Sequence, residues 1–177
     1  MPPSSTVTHA FLLTLLTSLT ACLIPTAPIL ALPNTESSPS NFIFSFSLTN
    51  PMLSSSYLMI VFPIFSSTIT PFTCTLLNNA ITSSVCVNLN TASGTNPNPL
   101  TINTTAVNSI NPNIQSMLTV VTSFSGSLLA ATSYSLQIIL SNNLPSIGAL
   151  SESFEMYVIS GTGVMQEENW NMGQLFF

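Results

Sequence analysis

The residues able to do acid–base, nucleophilic or metal chemistry are few: Glu36, Glu152, Glu155, Glu167 and Glu168, one histidine, His9, and the cysteines Cys22, Cys74 and Cys86. Lysine, arginine and aspartate are missing altogether. A serine or cysteine nucleophile needs a base and a group to orient that base, and the sole histidine stands ahead of an apolar run, apart from any such partner. Glu152 and Glu155 are three apart on an expected strand, so they point to opposite faces and do not pair as acid and base. Glu167-Glu168 read as solvated members of a non-strand tail. With Asn169 and Asn171 they make a poor set for calcium, which gathers carboxylates. Cys74 and Cys86, with no histidine nearby, lack a zinc spacing. The expectation is a protein with no enzyme activity, no cofactor and no metal.

The same cysteines carry a structural reading. Cys22 falls inside the apolar N-terminal run, which leaves the even pair Cys74 and Cys86 in the remainder. They flank an apparent hairpin through Asn78-Asn79, and a disulfide between them would place the chain in an oxidising compartment. The other reading of the pair is two buried thiols. Asn103-Thr104-Thr105 is an acceptor sequence for N-linked sugar. In an expected strand Leu100–Thr105, Asn103 shares the face opposite Leu100 and Ile102. The Ser/Thr-rich stretches Ser37–Ser40 and Thr91–Thr95 offer sites for O-linked sugar.

Charge excludes two classes of partner. Only 3% of residues are charged and all are acidic, where a quarter is ordinary. Nucleic acid and anionic membrane surfaces are bound through Lys and Arg, so neither is expected as a partner. Hydrophobic residues make up 46% of the chain, enough for a packed core. What remains for the surface is Ser, Thr and Asn, which fits an extracellular or cell-surface protein.

The elements that must position these residues read as strands. Ala10 to Leu32 is an apolar run ending Pro28-Ile29-Leu30-Ala31, and residues 1–31 read as a secretory signal peptide. The run is also long enough for an uncleaved anchor, the one route to a membrane, or for an apolar arm used in assembly. Residues 32–41 read as a linker, 42–160 as the folded domain and 161–177 as a C-terminal tail. Phe42, Phe44, Phe46 and Leu48 alternate along one strand face. Tyr57–Phe62 is apolar on both faces, and Pro63 is expected to stop it. Further strands are expected near Thr70–Leu76, Ile81–Leu89, Leu100–Thr105, Ile114–Phe124, Tyr134–Leu140 and Ser153–Ser160, with turn-rich breaks between them. The pattern predicts an all-β, antiparallel sandwich of about seven to nine strands. Its expected inward set is Phe42, Phe44, Phe46, Tyr134, Leu136, Ile138, Phe154, Met156 and Val158.

The alternating strand, Asn50-Pro51, the run Ser54 to Pro63, the cysteine pair and Ala130 to Asn142 together resemble the immunoglobulin-like sandwich units of protist surface and extracellular proteins. The resemblance covers about Asn41 to Gly161. It departs from antibody-type domains, because Trp170 follows both cysteines instead of lying between them. It implies a structural or adhesive role and carries over no functional residue. The leading functional expectation is a non-enzymatic extracellular structural protein, a surface-coat or filament subunit. Its partners would be copies of itself or other extracellular proteins. Phe42, Phe44, Phe46 and Leu48 are the candidate assembly strand, because three Phe on one face suit addition to an open sheet edge. The alternative is a secreted adhesion module binding glycan or protein through Asn96, Asn98, Asn142, Asn143 and Trp170.

Overall fold

The computed structural model describes residues 21–22, 24–25, 30–32, 39–66, 72–79, 82–89, 117–143, 153–169 and 171–174. Every regular element among them is a strand. In chain order these are β1 (Ala21–Cys22), β2 (Ile24–Pro25), β3 (Leu30–Leu32), β4 (Pro39–Ser47), β5 (Tyr57–Ser66) and β6 (Phe72–Leu76). They are followed by β7 (Ser84–Asn88), β8 (Met117–Phe124), β9 (Ser133–Asn143), β10 (Glu155–Ile159) and β11 (Met165–Asn169). Two sheets result. One runs β1-β11-β10-β5-β8-β7, and the other β2-β4-β9-β6 with β3 also on β4. All pairings are antiparallel except β1 on β11. The expected antiparallel sandwich is therefore the fold.

Alternation decides which side chains meet between the sheets. Phe42, Phe44, Phe46 and Leu48 from β4 and the connection after it face Leu58, Ile60 and Phe62 from β5, and the whole expected inward set is buried with them. At the centre four rings interlock: Phe62 meets Phe42, Phe44 and Phe154 at centroid distances of 5.3, 5.5 and 5.3 Å, each close to edge-on. Phe44 and Phe154 close the knot at 5.6 Å. Edge-to-face packing lets each ring's positive rim meet a neighbour's negative face. Phe42 and Phe44 come from one sheet, Phe62 from the other, and Phe154 from the residue before β10, so this knot binds the two layers.

One end of the sandwich is tied by its connections. Met52 and Leu128 exchange backbone hydrogen bonds of 2.9 and 2.8 Å, and Ala131 N–H donates to Leu48 C=O at 2.9 Å. Tyr134 opens β9 and its hydroxyl accepts from Leu129 N–H at 2.6 Å, similar to the tyrosine corner of Greek-key sandwiches.

Several expectations need correction. Pro63 does not end its strand: β5 runs on to Ser66, with the register to β8 shifting between Phe62 and Ser66. A bulge is where a residue lacking N–H is tolerated inside a sheet. Cys74 and Cys86 do not flank a hairpin, since β6 pairs β9 in one sheet while β7 pairs β8 in the other. The connection crosses the sandwich instead of turning within a sheet. Within the stretch read as a C-terminal tail, β11 pairs β10, and Met172 is buried in the main core. The candidate assembly strand, β4, pairs β9 on one side and β2 and β3 on the other. Its three Phe, with no exposed surface, fill the chain's own core. Residues 1–20 of the run read as a signal peptide lie outside the described residues; residues 21–22, 24–25 and 30–32 fall in β1, β2 and β3, and β4 begins at Pro39 in the segment read as a linker. The expected strand Leu100–Thr105 lies outside the described residues.

Candidate interaction surface

The two sheets present very different outer faces. On the six-stranded sheet, β11, β10, β5, β8 and β7 are in register along Glu168, Tyr157, Met59, Val121 and Val87. Apart from Glu168 this row is apolar and buried, and with Val61, Leu89 and Ile159 it forms a second hydrophobic cluster. Its polar rim is Glu155, whose Oε2 accepts from the Tyr157 hydroxyl at 2.6 Å. Burial takes most of this face away from solution.

The five-stranded sheet is the reverse. Residues facing away from the core on β4, β9 and β6 form cross-strand rows Asn41–Ile139–Thr73 and Ile43–Gln137–Thr75. A third row joins Ser45 to Ser135, with their hydroxyls 3.3 Å apart. Thr73, Thr75, Ser133 and Ile139 are exposed, and Ile43, Ser45, Ser135 and Gln137 half-buried. Three adjacent strands make a platform about 10 Å across. Beyond Leu76 the ladder is continued by a side chain: Asn78 Nδ2–H donates to Ser133 C=O at 2.6 Å, and Ser135 N–H donates to Asn78 Oδ1 at 2.9 Å. The amide thus imitates a strand residue and fixes the corner of the platform. Every polar group in these rows is a neutral hydroxyl or amide. The surface can donate and accept hydrogen bonds but cannot attract an ion.

Among the described residues, Glu155 and Glu168 share the outer face of the six-stranded sheet and Glu167 faces the other way. Glu167 and Glu168 lie on β11 and point to opposite faces, which corrects their reading as a solvated pair. Glu167 is only 1% exposed. Its Oε2 accepts from Thr49 N–H at 3.1 Å, and its Oε1 accepts from Asn50 N–H. The carboxylate thereby pins the connection after β4 onto the last strand. Glu167→Gln is expected to cost about 1–3 kcal/mol, because the new NH₂ would face a backbone donor instead of accepting from it. Chemical denaturation checks this, and unchanged stability would contradict it. Asn169 and Asn171 do not complete a calcium set with these glutamates. Asn169 Oδ1 accepts from Asn171 N–H at 2.8 Å, and Asn171 Oδ1 accepts from the Ser153 hydroxyl at 2.8 Å. Among the described residues no three metal-ligating side chains converge.

Cys74 and Cys86 form a disulfide. It joins β6 to β7, the terminal strands of the two sheets on the same side of the sandwich, so one lateral opening is closed by a covalent bond. Of the other residues singled out from sequence, Asn103, Asn96, Asn98 and Trp170 lie outside the described residues. Asn142 and Asn143 belong to the end of β9. The platform on β4, β9 and β6 was not singled out. Its signal in the sequence is the alternation itself: Asn41, Ile43 and Ser45 between the Phe residues, and Ser135, Gln137 and Ile139 between Tyr134 and Leu140.

No protein-family model matches this chain. No curated protein matches it either. Among solved structures it is similar to a family 3b carbohydrate-binding module from the biomass sensoring system of Clostridium clariflavum, with a TM-score of 0.41 and 9% identity, over 85% of this chain and 95% of that one.

Proposed function

We propose that this chain is a non-catalytic extracellular module that holds an uncharged glycan on the outer face of its five-stranded sheet. The observation that carries the reading is the neutral platform of Thr73, Thr75, Ser45, Ser135 and Gln137, interrupted by Ile43 and Ile139. Sugar hydroxyls are matched by neutral donors and acceptors, while the two isoleucines offer apolar contact to a ring's C–H surface. An extracellular setting is supported by the Cys74–Cys86 disulfide and by a composition with no Lys or Arg. The reading of no catalysis is supported by the lack of any base–nucleophile pair in the sequence, which has no Lys, Arg or Asp and one His. The surface-coat or filament reading rested on Phe42, Phe44 and Phe46, whose side chains are buried in the chain's own core.

An array of neutral polysaccharides probed with the wild-type protein and with a Thr75→Ala/Gln137→Ala double variant tests the proposal. Two lost hydrogen bonds at about 0.5–1.5 kcal/mol each predict roughly five- to 150-fold weaker binding with unchanged thermal unfolding. Absence of saturable binding by the wild type, or equal binding by the variant, would overturn it.

A further inference from the structure

The two sides of the sandwich are closed by different means. On one side the terminal strands β6 and β7 are joined by the disulfide. On the other side the terminal positions belong to the N-terminal segment. Ala21 and Cys22 lie parallel to β11, opposite Glu167 and Glu168. Ile24 and Pro25 lie opposite Ser47 and Phe46 of β4, and Leu30, Ala31 and Leu32 lie opposite Ile43, Phe42 and Asn41. The segment that begins at residue 21 and ends at residue 32 thus pairs first with the edge of one sheet and then with the edge of the other, covering the free sides of both β11 and β4.

We propose that this closing arm is exchangeable, and that the edge formed by β11 and β4 accepts residues 21–32 of a second copy of the chain. Three observations lead there. The arm's strands are two, two and three residues long, well below the usual five or six, so detaching it breaks few backbone bonds and falls at the low end of local stability. The Phe knot and the β4–β9 pairing are built from residue 39 onward. Once open, the edge lacks lysine, the residue proteins use most to blunt an exposed strand, because this chain has none; Glu167 and Glu168 on β11 are the only charges along it. Asn41, opposite Leu32, has a buried Oδ1 without a hydrogen-bond partner. Water reaching that oxygen on release offsets part of the lost pairing.

An arm from another copy makes the same pairings as the chain's own, so the balance between the two is set by concentration. Reciprocal exchange closes a dimer, and exchange that does not return builds an open chain. The partner is therefore another copy of this protein. The idea is independent of glycan binding, since the platform lies on the face of the sheet and the arm on its edge.

The register supplies a probe. Cys22 lies opposite Glu168, so Glu168→Cys in the full chain sets a second cysteine at the register position facing it on the neighbouring strand. Equal amounts of ¹⁴N- and ¹⁵N-labelled E168C protein are mixed, refolded at rising concentration and oxidised. Peptides joining Cys22 to the introduced cysteine are then read by mass spectrometry. The expected result is a mixed-isotope cross-link whose share rises with concentration, towards half of all cross-linked peptide. Same-isotope cross-links alone at every concentration would show an arm that closes only its own domain. No link from Cys22 to the introduced cysteine at all would show that the arm does not seat on β11. Either outcome overturns the proposal. Loss of glycan binding with the mixed cross-link intact would instead count against the glycan-platform reading alone.

Discussion

Phe154→Ala is expected to cost about 3–5 kcal/mol, the range for deleting a fully buried aromatic side chain. The position has no exposed surface and its ring meets Phe42, Phe44 and Phe62 at centroid distances of 6.1, 5.6 and 5.3 Å. Removing it forfeits the transfer energy of the ring and leaves a void between the layers. The three remaining rings are fixed by strand register and cannot collapse into that void. Domains of this size hold about 5–15 kcal/mol in total, so the variant should unfold at much lower denaturant or fail to accumulate. Ile43→Ala, on the outer face of β4, serves as the comparison and should cost far less. Equal losses at the two positions, read from urea midpoints, would contradict the placement of the core.

The second large effect belongs to the disulfide. Cys74 and Cys86 are separated by 12 residues, and closing so short a loop removes about 3 kcal/mol worth of disorder from the unfolded chain. The bond also holds β6 to β7 at the edge opposite β1 and β2. Cys74→Ala/Cys86→Ala is expected to lower stability by about 3 kcal/mol, and reductant should lower the wild type similarly while leaving the double variant unchanged. Intact mass must also show that only Cys22 reacts with alkylating reagent in the unfolded, non-reduced protein. A second and third alkylated thiol would contradict the bond.

The parts of this fold legible in the sequence are those where one face is wet and the other dry. Phe42, Phe44 and Phe46 alternate with Asn41, Ile43 and Ser45, and Tyr134, Leu136 and Ile138 with Ser135, Gln137 and Ile139. That period of two both identifies the strand and names its inward side. Which sheet a strand joins is a different matter. Nothing local distinguishes a turn at Asn78-Asn79 that closes a hairpin from one that crosses to the other layer, and here the chain crosses. Met165–Asn169 escaped notice for a related reason. Glu and Asn are poor strand formers, and the segment is a strand because β10 offers it a ladder and because Thr49 and Asn50 offer donors to Glu167. Pro63 shows the converse, a residue that usually ends a strand being absorbed by a bulge. The candidate platform was equally hidden. Its polar residues were visible only as the wet half of an alternation, whereas loop asparagines and Trp170 drew attention by their type.

The claim that this neutral sheet face is where ligand sits is tested most directly by NMR titration of the isotope-labelled protein with neutral oligosaccharides. The expected result is a saturable change in the side-chain amide of Gln137 and in the signals of Thr73, Thr75, Ser45 and Ser135, with Glu155, Tyr157 and Glu168 unmoved. Saturable changes centred on that second group, or none anywhere across the neutral sugars, would contradict it.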